Sequence, residues 1–567
     1  MELKYTDYLK KYNFKHPIEY SKNKELNQIL REDLEMDSDA SLNILNNLYL
    51  NDDTKKNKYN LLLNKWSSLY SVDKQYLKDM QSILKKYKIH ENKMDEFINE
   101  YIDFKREQNF ISKYQYIQFS RLQYLNKIVP FLQVLALYNF CSPLFSLIAP
   151  LIGLIIPYFV LYAKGIRLGF SNYLVVIKNI ITKQYFIKGI LNFAKNTLQN
   201  NIYLLTSIFF YFMSIYNNII SCIQFYKNTD FIISFTEKYD KFISEGDELI
   251  DNIYNYTSKK KSFGEFNKNM IRHKENIKHM RSCLHSICSC KDKIKKMSMI
   301  GCLLKNNFEI FYEDSYDETV GFLIYLNNYN YDIYNISKLL KGQIINECKY
   351  IKNKKDKPKI NEGYYLNNIG EKNVTNDVSM KNNLIITGPN ASGKTTMIKS
   401  CLINLFLSQS IGCGCYGSCR THLYDYYHSY LNIPDTSNRD SLFQAEARRC
   451  KDIIMFIEKH KNKRHFCIFD EIYSGTNPSD AVLCANIYLN GMNEYKENVD
   501  YILTTHYIDM CEKFEKNKYV SNKKMMVNCV ENNRLEYTYK LVDGISYVNG
   551  GYQILEQLEY PKHLLKK

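Results

Sequence analysis

Residues 383–399 read NLIITGPNASGKTTMIK, and the C-terminal part of the chain is organised around this stretch. Residues 384–387 are apolar or β-branched, which predicts a short buried strand, and residues 388–395 follow the pattern G-x-x-x-x-G-K-T. Gly388 and Gly393 allow the backbone to curl so that successive N–H groups point inward, and a helix start at Lys394 adds its positive dipole end. The stretch therefore predicts a strand, a phosphate-binding loop (P-loop, or Walker A motif) and a helix.

The loop assigns roles to individual side chains. Lys394 is expected to reach the β- and γ-phosphates of a nucleotide, and the Thr395 hydroxyl is expected to ligate Mg²⁺. A nucleotide and Mg²⁺ are therefore the predicted ligands of the loop, and ATP is the nucleotide that the family resemblance of the C-terminal motifs implies. The predicted ATP-binding residues form one run over the loop and the helix start: Gly388, Pro389, Asn390, Ala391, Ser392, Gly393, Lys394, Thr395 and Thr396.

Two further apolar segments end in side chains suited to the same chemistry. Residues 465–471 read HFCIFDE, a buried strand after which Asp470 can hold the magnesium shell and Glu471 can polarise the attacking water. Residues 501–507 read YILTTHY, a strand ending in His506, which can hydrogen-bond the γ-phosphate or the water, or merely cap the strand. Lys394, Glu471 and His506 are the predicted catalytic residues, and Thr395 and Asp470 are the predicted ligands of Mg²⁺.

The length, composition and charge of the chain limit the kinds of protein that it can be. With 567 residues, 45% of them hydrophobic, the chain is long enough for several domains and can build a sizeable core. Its formal net charge of +16 suggests an anionic partner, either nucleic acid or lipid headgroups. An AT-rich genome would also produce abundant Lys, Asn, Ile and Tyr, so codon bias is the alternative explanation of the charge.

Cysteine usage indicates a reducing compartment. The chain has 16 cysteines, but residues 1–11 are polar and charged rather than a secretory signal, so we expect free thiols and an intracellular location. Zinc is not expected, because the two cysteine clusters lack C-x-x-C spacing and would have to combine to complete a site. The clusters are Cys283, Cys288 and Cys290, and Cys413, Cys415 and Cys419.

The middle of the chain contains two long runs without charge. Residues 128–163 and 196–226 have no charged side chain, and the first run is well beyond the ~20 apolar residues that cross a bilayer. Pro143, Pro150 and Pro157 would kink or interrupt a helix, so this run can be one tilted span or a re-entrant hairpin. The alternative is the buried helical core of a large soluble domain.

The segment between the two runs leaves the membrane topology open. Two simple crossings would place this basic segment on the side opposite the ATPase, against the positive-inside tendency. A re-entrant first run, with the basic segment lying as an amphipathic helix on an anionic cytoplasmic surface, removes the conflict. The cations of the segment are Lys164, Arg167, Lys178, Lys183, Lys188 and Lys195, and it contains no acid.

Helices are predicted on both sides of the apolar runs. Residues 1–125 contain few Gly or Pro, and apolar residues recur three and four apart, as in Ile83, Leu84 and Tyr87. Residues 229–350 are polar with a helical pattern. Residues 351–362 are highly charged and poor in apolar side chains, which is typical of a linker.

The motifs of the C-terminal region together resemble one family. ITGPNASGKTT, FDEIYSGTNPSDA and TTHY are similar to the ATPase domain of the MutS family, the DNA mismatch repair ATPases, within the ATP-binding-cassette class. Asn390, Gly475, Thr476 and Asp480 stand where that family's pattern places them. The segments VTNDVSM and YKLVDGISYVNGGYQILEQLEYP extend the resemblance, which covers residues 363–567 and includes no mismatch-reading N-terminal domain.

The resemblance implies a dimer in which a serine at a helix start of one subunit reaches the γ-phosphate held by the other. The matching segment SNRDSLFQAEARR places Ser441 in that role, and Glu446 also agrees with the pattern. Arg439 and Asp440 replace the family's Gly-Arg, which implies weakened or differently regulated hydrolysis. The family's adenine-stacking aromatic falls near Asn373, so that contact is expected to be lost.

These observations predict a multidomain protein with helical N-terminal and central regions and a C-terminal α/β P-loop NTPase of the ATP-binding-cassette class. The predicted regions are a helical N-terminal part, an apolar helical part with membrane segments, a helical core or clamp, a basic linker and a MutS-like ATPase domain. Their boundaries are 1–125, 126–228, 229–350, 351–362 and 363–567.

The predicted function is that of a MutS-like ATPase, a homodimer that couples ATP hydrolysis to movement of helical arms on DNA, as in mismatch repair or recombination. DNA and a membrane are both candidate partners. The alternative is a membrane-tethered remodelling ATPase of the ATP-binding-cassette class without a direct role on DNA. In that alternative, the ATPase domain lies in the cytosol and the apolar runs anchor it to an intracellular membrane.

Overall fold

The computed structural model describes residues 11–36, 45, 48, 65–166, 169–183, 198–288, 292, 295, 298–353, 356–366, 373–431, 441–530, 534–548, 555 and 560. In chain order the strands are β1 (Asn23–Glu25), β2 (Leu69–Ser71), β3 (Asn346–Tyr350), β4 (Lys359–Gly363), β5 (Asn376–Ser379), β6 (Asn383–Thr387), β7 (Cys413–Gly414), β8 (Ser418–Thr421), β9 (Tyr426–Tyr430), β10 (His465–Asp470), β11 (Val499–Thr505), β12 (Val520–Val530) and β13 (Arg534–Asp543).

The α-helices are α1 (Gln28–Asp33), α2 (Lys74–Lys86), α3 (Met94–Lys105), α4 (Phe110–Lys113), α5 (Val129–Ala163), α6 (Phe170–Lys183), α7 (Leu198–Thr257), α8 (Gly264–Cys288), α9 (Ile300–Tyr312), α10 (Asp314–Lys341), α11 (Lys394–Ser410), α12 (Leu442–Lys459), α13 (Pro478–Glu494) and α14 (Ile508–Phe514). Short 3₁₀-helices occur at Pro17–Tyr20, Ser120–Lys127 and Lys261–Phe263. The sequence prediction of helical N-terminal and central regions followed by a C-terminal α/β region is confirmed.

The chain divides into two compact units. The helical unit contains Asn92–Glu248 and His273–Leu323, and the sheet unit contains Leu9–Glu91, Leu249–Arg272 and Ile324–Lys567. Helices α7, α8 and α10 contribute residues to both units.

The centre of the sheet unit is a mostly parallel sheet. Within the described residues it has six strands in the order β13-β12-β6-β11-β10-β9, of which β13 alone runs antiparallel to its neighbour. Strands β6 and β11 are buried at every position, as expected of near-continuous apolar runs covered on both faces. The three strands predicted around NLIIT, HFCIFD and YILTT are therefore confirmed, and they are neighbours in this sheet.

The N-terminal residues pack against this same sheet unit. The Tyr70 hydroxyl donates to the Asp425 carbonyl at 2.8 Å, and Gln409 donates to the Ser71 carbonyl at 3.1 Å. Lys399 on α11 pairs with Glu35 at 3.0 Å. Long-range polar contacts thus tie the described part of residues 9–91 to the helix that follows the P-loop.

The helical unit has a core built largely from aromatic side chains. The Phe104 and Phe235 rings stack with centroids 4.3 Å apart, and Phe97 packs on Phe235 at 5.3 Å. Lys238 forms a surface ion pair with Glu100 at 2.8 Å. Aromatic pairs add to the burial of apolar area, so these contacts fasten α3 onto the polar half of α7.

The apolar runs form long helices whose surfaces are mostly exposed. Helix α5 continues through Pro143, Pro150 and Pro157, so the interruption considered from the prolines does not occur. Among the described residues, two helices are long and apolar enough to cross a membrane by length and composition, within Val129–Ile148 and Asn201–Thr257. Few residues of these segments are buried, which disagrees with the alternative of a buried helical core.

Candidate nucleotide site

The P-loop connects β6 to α11 through a backbone that needs its glycines. Gly393 has a φ of 91° and Ala391 a φ of 63°, both in the left-handed region. A Cβ atom at Gly388 would lie 2.7 Å from the Ser392 hydroxyl oxygen, so a larger residue would force the loop open. The motif therefore folds as a tight turn at the start of a long helix, which is the arrangement that binds anions.

Strand order brings the other predicted residues to this loop. Strand β11 pairs in parallel with β6 on one side, where Thr505 lies opposite Thr387, and with β10 on the other, where Thr504 lies opposite Asp470. The carboxyl ends of adjacent parallel strands meet at one edge of a sheet. Asp470, Glu471 and His506 consequently lie beside the P-loop, although they are far from it in sequence.

A hydroxyl and a carboxylate lie side by side at the start of α11. The Thr395 hydroxyl donates to Asp470 Oδ2 at 2.7 Å, and the Thr504 hydroxyl donates to the other carboxylate oxygen. Both oxygens of Asp470 are therefore held in place. Oxygen donors of this kind are the ones that Mg²⁺ prefers, so Thr395 and Asp470 fit the predicted metal role.

Lys394 lies at the centre of the predicted catalytic residues. Its Nζ donates to the Gly388 carbonyl at 3.0 Å, and it lies 3.0 Å from His506 Nε2 and 3.5 Å from Glu471 Oε1. Burial lowers the pKa of Lys394, while the neighbouring carboxylates of Glu471 and Asp470 act to raise it. A buried ammonium group with carbonyl partners on the P-loop is placed to meet a polyphosphate.

Glu471 and His506 form a close pair at the strand ends. His506 Nε2 lies 2.9 Å from Glu471 Oε1, and the Glu471 backbone N–H donates to the Thr504 carbonyl at 3.1 Å. The hydrogen bond with His506 lowers the pKa of Glu471, burial opposes this effect, and Lys394 adds to the lowering. Glu471 is thus an anchored carboxylate that is ionised at neutral pH.

The cavity beside the P-loop has an aromatic and apolar wall that sequence reasoning missed. It has a volume of ≈ 530 Å³, and Asn390, Ala391, Ser392, Gly393 and Thr396 line its polar side. The buried Ser392 hydroxyl has no hydrogen-bond partner among the described residues, as expected of a group that awaits a ligand. Aromatic and apolar residues also line the cavity, namely Tyr364, Tyr365, Val374, Met397, Met525 and Tyr539.

These aromatic residues bear on the expected loss of an adenine contact near Asn373. Tyr365 and Tyr539 come from segments on either side of the P-loop, and a Cβ atom at Gly393 would lie 3.1 Å from the Tyr539 ring. The cavity therefore has aromatic surfaces, even though this chain has no aromatic residue at the position near Asn373 where the family stacks one on adenine. With 50 tyrosines in the chain, no local pattern marks these two.

Ser441 lies outside this cluster in the described chain. It is the N-cap of α12, where its hydroxyl accepts from the Gln444 N–H at 3.3 Å and the Gln444 side chain accepts from the Ser441 N–H at 3.0 Å. Ser441 is exposed and does not line the cavity. Arg439 and Asp440, the departures from the family pattern, lie outside the described residues.

A buried carboxylate connects α12 to the loop that follows Glu471. Glu446 accepts from the Ser474 N–H at 3.1 Å, from the Ser474 hydroxyl at 2.9 Å and from the Gly475 N–H at 3.1 Å. A Cβ atom at Gly475 would lie 2.7 Å from Leu442, so only glycine allows this close approach. The helix that begins after Ser441 is thereby fastened to the segment after the two acidic residues.

The cysteines of the second cluster are part of the packed interior. Cys413, Cys415 and Cys419 are buried free thiols, and burial raises the pKa of Cys415 to about 12. Among the described residues, no group of three or more His, Cys, Asp or Glu side chains is arranged to hold a metal ion. In the first cluster, Cys290 lies outside the described residues.

Comparison with known proteins places the similarity in the same region as the site. Residues 384–567 match the family model described as MutS domain V. The DNA mismatch repair protein MutS of Bacteroides fragilis (strain YCH46) is 27% identical over 205 residues, which are 35% of this chain and 23% of that protein.

Two relatives with another name match nearly the same part of the chain. Endonuclease MutS2 of Agathobacter rectalis is 27% identical over 185 residues, covering 32% of this chain and 22% of that protein. Putative endonuclease MutS2 of Bacillus subtilis (strain 168) is 24% identical over 198 residues, covering 34% of this chain and 24% of that protein. The matched region spans less than a quarter of the length of each of these relatives.

Proposed function

Because the chain is a divergent MutS-family protein, with its similarity in the C-terminal region, we propose that it is an ATPase of the ATP-binding-cassette class that hydrolyses ATP to ADP and phosphate. The observation that carries the proposal is a cluster at the P-loop: Lys394, Thr395 and Glu471 line one cavity, and Asp470 and His506 contact these residues directly. The division of the chain into the five predicted regions is part of this proposal.

Each of these residues has a role in the proposed reaction. Backbone N–H groups of the P-loop and the Lys394 ammonium bind the phosphates, and the glycines allow the close approach. Thr395 and Asp470 would hold Mg²⁺, which when bound neutralises charge that develops on the phosphate oxygens. Glu471 orients the attacking water and accepts its proton, and His506 positions Glu471 at 2.9 Å.

Dimerisation is the second part of the proposal. Ser441 is exposed at a helix start and is separate from the cavity of its own chain, which fits a residue that acts on the γ-phosphate bound by another subunit. The bonds from Glu446 to Ser474 and Gly475 join the helix after Ser441 to the segment after Glu471. The proposed coupling of ATP turnover to movement of helical arms begins at this joint, which links the helix after Ser441 to the nucleotide site.

DNA is the proposed partner of the ATPase cycle, and the proposed role is mismatch repair or a recombination-like process within the cell. Two observations support it: the matched relatives are named for DNA mismatch repair and for endonuclease activity, and the chain carries a net charge of +16. The exposed apolar helices α5 and α7 favour a second candidate, a membrane-tethered remodelling ATPase of the same class.

Steady-state phosphate release from ATP by the full-length chain, with and without duplex DNA, tests the proposal. Release that requires Mg²⁺ is expected, because Thr395 and Asp470 act through that ion. DNA binding is expected to fall steeply with salt, as it does when cationic side chains neutralise phosphates. A chain that neither binds nor hydrolyses ATP would overturn the ATPase proposal, and ATP turnover without DNA binding or stimulation would favour the membrane-tethered candidate.

A further inference from the structure

The helical unit has a large exposed apolar surface. Residues 128–163 and 196–226 contain no charged side chain, and many large apolar residues within them are exposed. The exposed fractions reach 62% for Phe159 and 66% for Phe210. An exposed apolar patch of this size on a protein surface indicates a contact with another protein or with a membrane.

Helices α5 and α7 lie side by side in antiparallel directions. The Tyr211 hydroxyl lies 3.4 Å from the Ser146 carbonyl oxygen and 3.3 Å from that of Leu147, and these two acceptors share its single proton. We call the end of the pair where α5 begins the base, and the end where α5 finishes the tip. Nearer the base, the Cys222 thiol donates to the Phe140 carbonyl at 3.4 Å. Continued along both helices, the register of these contacts would set residues 142–161 of α5 against about residues 199–218 of α7. That length is ~30 Å at 1.5 Å per residue, which matches the hydrocarbon core of a bilayer.

The exposed residues surround the pair rather than forming a stripe. On α7 the side chains of Phe209, Phe210 and Phe212 are all exposed, although successive positions point about 100° apart around a helix. Tyr211, the residue among them, points at α5 instead. A second copy of the chain or a partner helix would cover one side of such a surface, whereas lipid covers all of it.

Hydroxyl groups reach the carbonyls that two of the prolines in α5 leave without a helical donor. Pro143 and Pro150 have no N–H, which leaves the carbonyls of Asn139 and Ser146 without their helical donors. The Ser142 hydroxyl donates to the Asn139 carbonyl at 3.0 Å, and the Tyr211 hydroxyl of the other helix donates to that of Ser146. In hydrocarbon there is no water to donate to a carbonyl that lacks its helical hydrogen bond. Side-chain hydroxyls that donate to such carbonyls therefore suit a helix in a bilayer.

The ends of the matched segments carry residues that favour a membrane interface. Tyr158 and Tyr203 lie at one level of the register and Tyr216 lies near the other end, in keeping with the enrichment of tyrosine at both interfaces. Beyond these levels come cations: Lys227 at the base, with Lys127, which pairs with Glu313, and Lys164 at the tip. Lysines there can reach anionic headgroups.

From these observations we propose that α5 and α7 form a helical hairpin that inserts into a lipid bilayer. The lipid contacts are the exposed side chains of residues 142–161 and about 199–218. The hairpin places the base of both helices, and with it the rest of the helical unit, at one membrane surface. It is the topology of two simple crossings, with Lys164 at the opposite surface against the positive-inside tendency, and the apolar length of the two segments carries the assignment instead. This inference does not depend on ATP binding or hydrolysis, so its failure and that of the proposed function are distinguishable.

Flotation of the full-length protein with phosphatidylcholine vesicles containing phosphatidylserine tests the insertion. The wild-type protein is expected to float with the vesicles and to remain bound after washes with high salt and with alkaline carbonate, since apolar burial is not screened by salt. Phe210→Asp is expected to lower the partition coefficient about 100-fold, because a carboxylate at the centre of a bilayer is costly. In water the same exposed position would tolerate the change.

Ile271→Asp is the matched control, since Ile271 is an exposed apolar residue on helix α8, outside the hairpin. This variant is expected to float as the wild type does. Release of the wild type by salt alone would overturn the proposal in favour of electrostatic adsorption of a basic protein. Equal flotation of Phe210→Asp and wild type would overturn it too, as would a lipid-free oligomer that Phe210→Asp converts to monomers.

Chymotrypsin cleavage of the wild-type chain gives a second measurement that needs no variant. Phe209, Phe210 and Phe212 are exposed aromatic sites within the hairpin, so vesicles are expected to protect them while the cleavage sites elsewhere stay accessible. Cleavage at these residues at the same rate with and without vesicles would contradict insertion, whatever the behaviour of the Asp variant.

Discussion

His506 Nε2 lies 2.9 Å from Glu471 Oε1, and the two residues come from the ends of neighbouring strands β11 and β10. Glu471 has a second anchor, because its backbone N–H donates to the Thr504 carbonyl. A carboxylate so positioned beside Lys394 can orient and deprotonate a water at a bound phosphate.

Replacement of Glu471 by Gln should separate binding from turnover. The amide keeps the size of the side chain but cannot accept a proton, so we expect ATP binding to persist, a dimer to be trapped, and phosphate release to fall by about 10²- to 10⁴-fold. Binding of a fluorescent ATP analogue, gel filtration and phosphate release measure the three effects. Glu458→Gln, at an exposed position on α12, is the control. Normal turnover by Glu471→Gln would remove Glu471 from the role of base.

Mixed dimers should reveal whether Ser441 acts across the subunits. Lys394→Ala is expected to lose nucleotide binding, and Ser441→Ala to lose the contact with the γ-phosphate, so each variant alone should be nearly inactive. An equimolar mixture should regain activity, because a heterodimer combines one intact Lys394 with one intact Ser441 in a single composite site. Phosphate release by the separate and mixed proteins is the measurement, and full activity of Ser441→Ala alone would argue against action in trans.

Removal of His506 should shift the pH dependence of turnover. The hydrogen bond with His506 is the largest cause of the lowered pKa of Glu471, whose ordinary value is 4.5. Glu471 is therefore ionised above that value and loses its charge only as the pH falls through the lowered pKa. In His506→Ala the lowering is reduced while burial still raises the pKa, so the acid limb of the pH–rate profile should move to higher pH. An acid limb identical to that of the wild type would contradict this link.

The aromatic wall of the cavity should contribute to ATP affinity through the base. Alanine at Tyr365 or Tyr539 is expected to weaken ATP binding about tenfold, since stacking on a base is worth ~1–3 kcal/mol. Binding of inorganic triphosphate should change little, because it has no base. Tyr539→Phe keeps the ring and should bind as the wild type does, and Tyr547→Ala, at an exposed position, is a control. Equal losses for ATP and triphosphate would mean that the tyrosines shape the P-loop instead.

Loss of the Glu446 carboxylate should loosen the joint between α12 and the segment after Glu471. Its oxygens accept from two backbone N–H groups and one hydroxyl, all of which Glu446→Ala would leave without that partner. We expect the free energy of unfolding to fall by about 2–4 kcal/mol and turnover to fall while ATP binding persists. Denaturant unfolding and phosphate release are the measurements. Glu446→Gln retains one acceptor oxygen and should be affected less; unchanged turnover in both variants would contradict a coupling role.

The location of the candidate site could be predicted from the sequence because it depends on short patterns. The two glycines of the P-loop lie five positions apart in the chain, and Asp470, Glu471 and His506 each lie at the end of an apolar strand or directly after it. The rule that parallel strands end at a common edge then brings them together, and the observed distances around Lys394 and Glu471 agree with it. The glycine patterns and strand ends are local, so one sequence suffices to find them.

The tertiary structure alone decided features that join distant segments. Tyr365 and Tyr539 meet in one wall across the P-loop, Glu446 reaches Gly475, and Glu35 pairs with Lys399 on the helix of the P-loop. None of these contacts leaves a periodic signal, because each depends on how whole elements pack. The same holds for the apolar runs: their composition allowed a buried core, and the exposure of residues such as Phe210 disagrees with it.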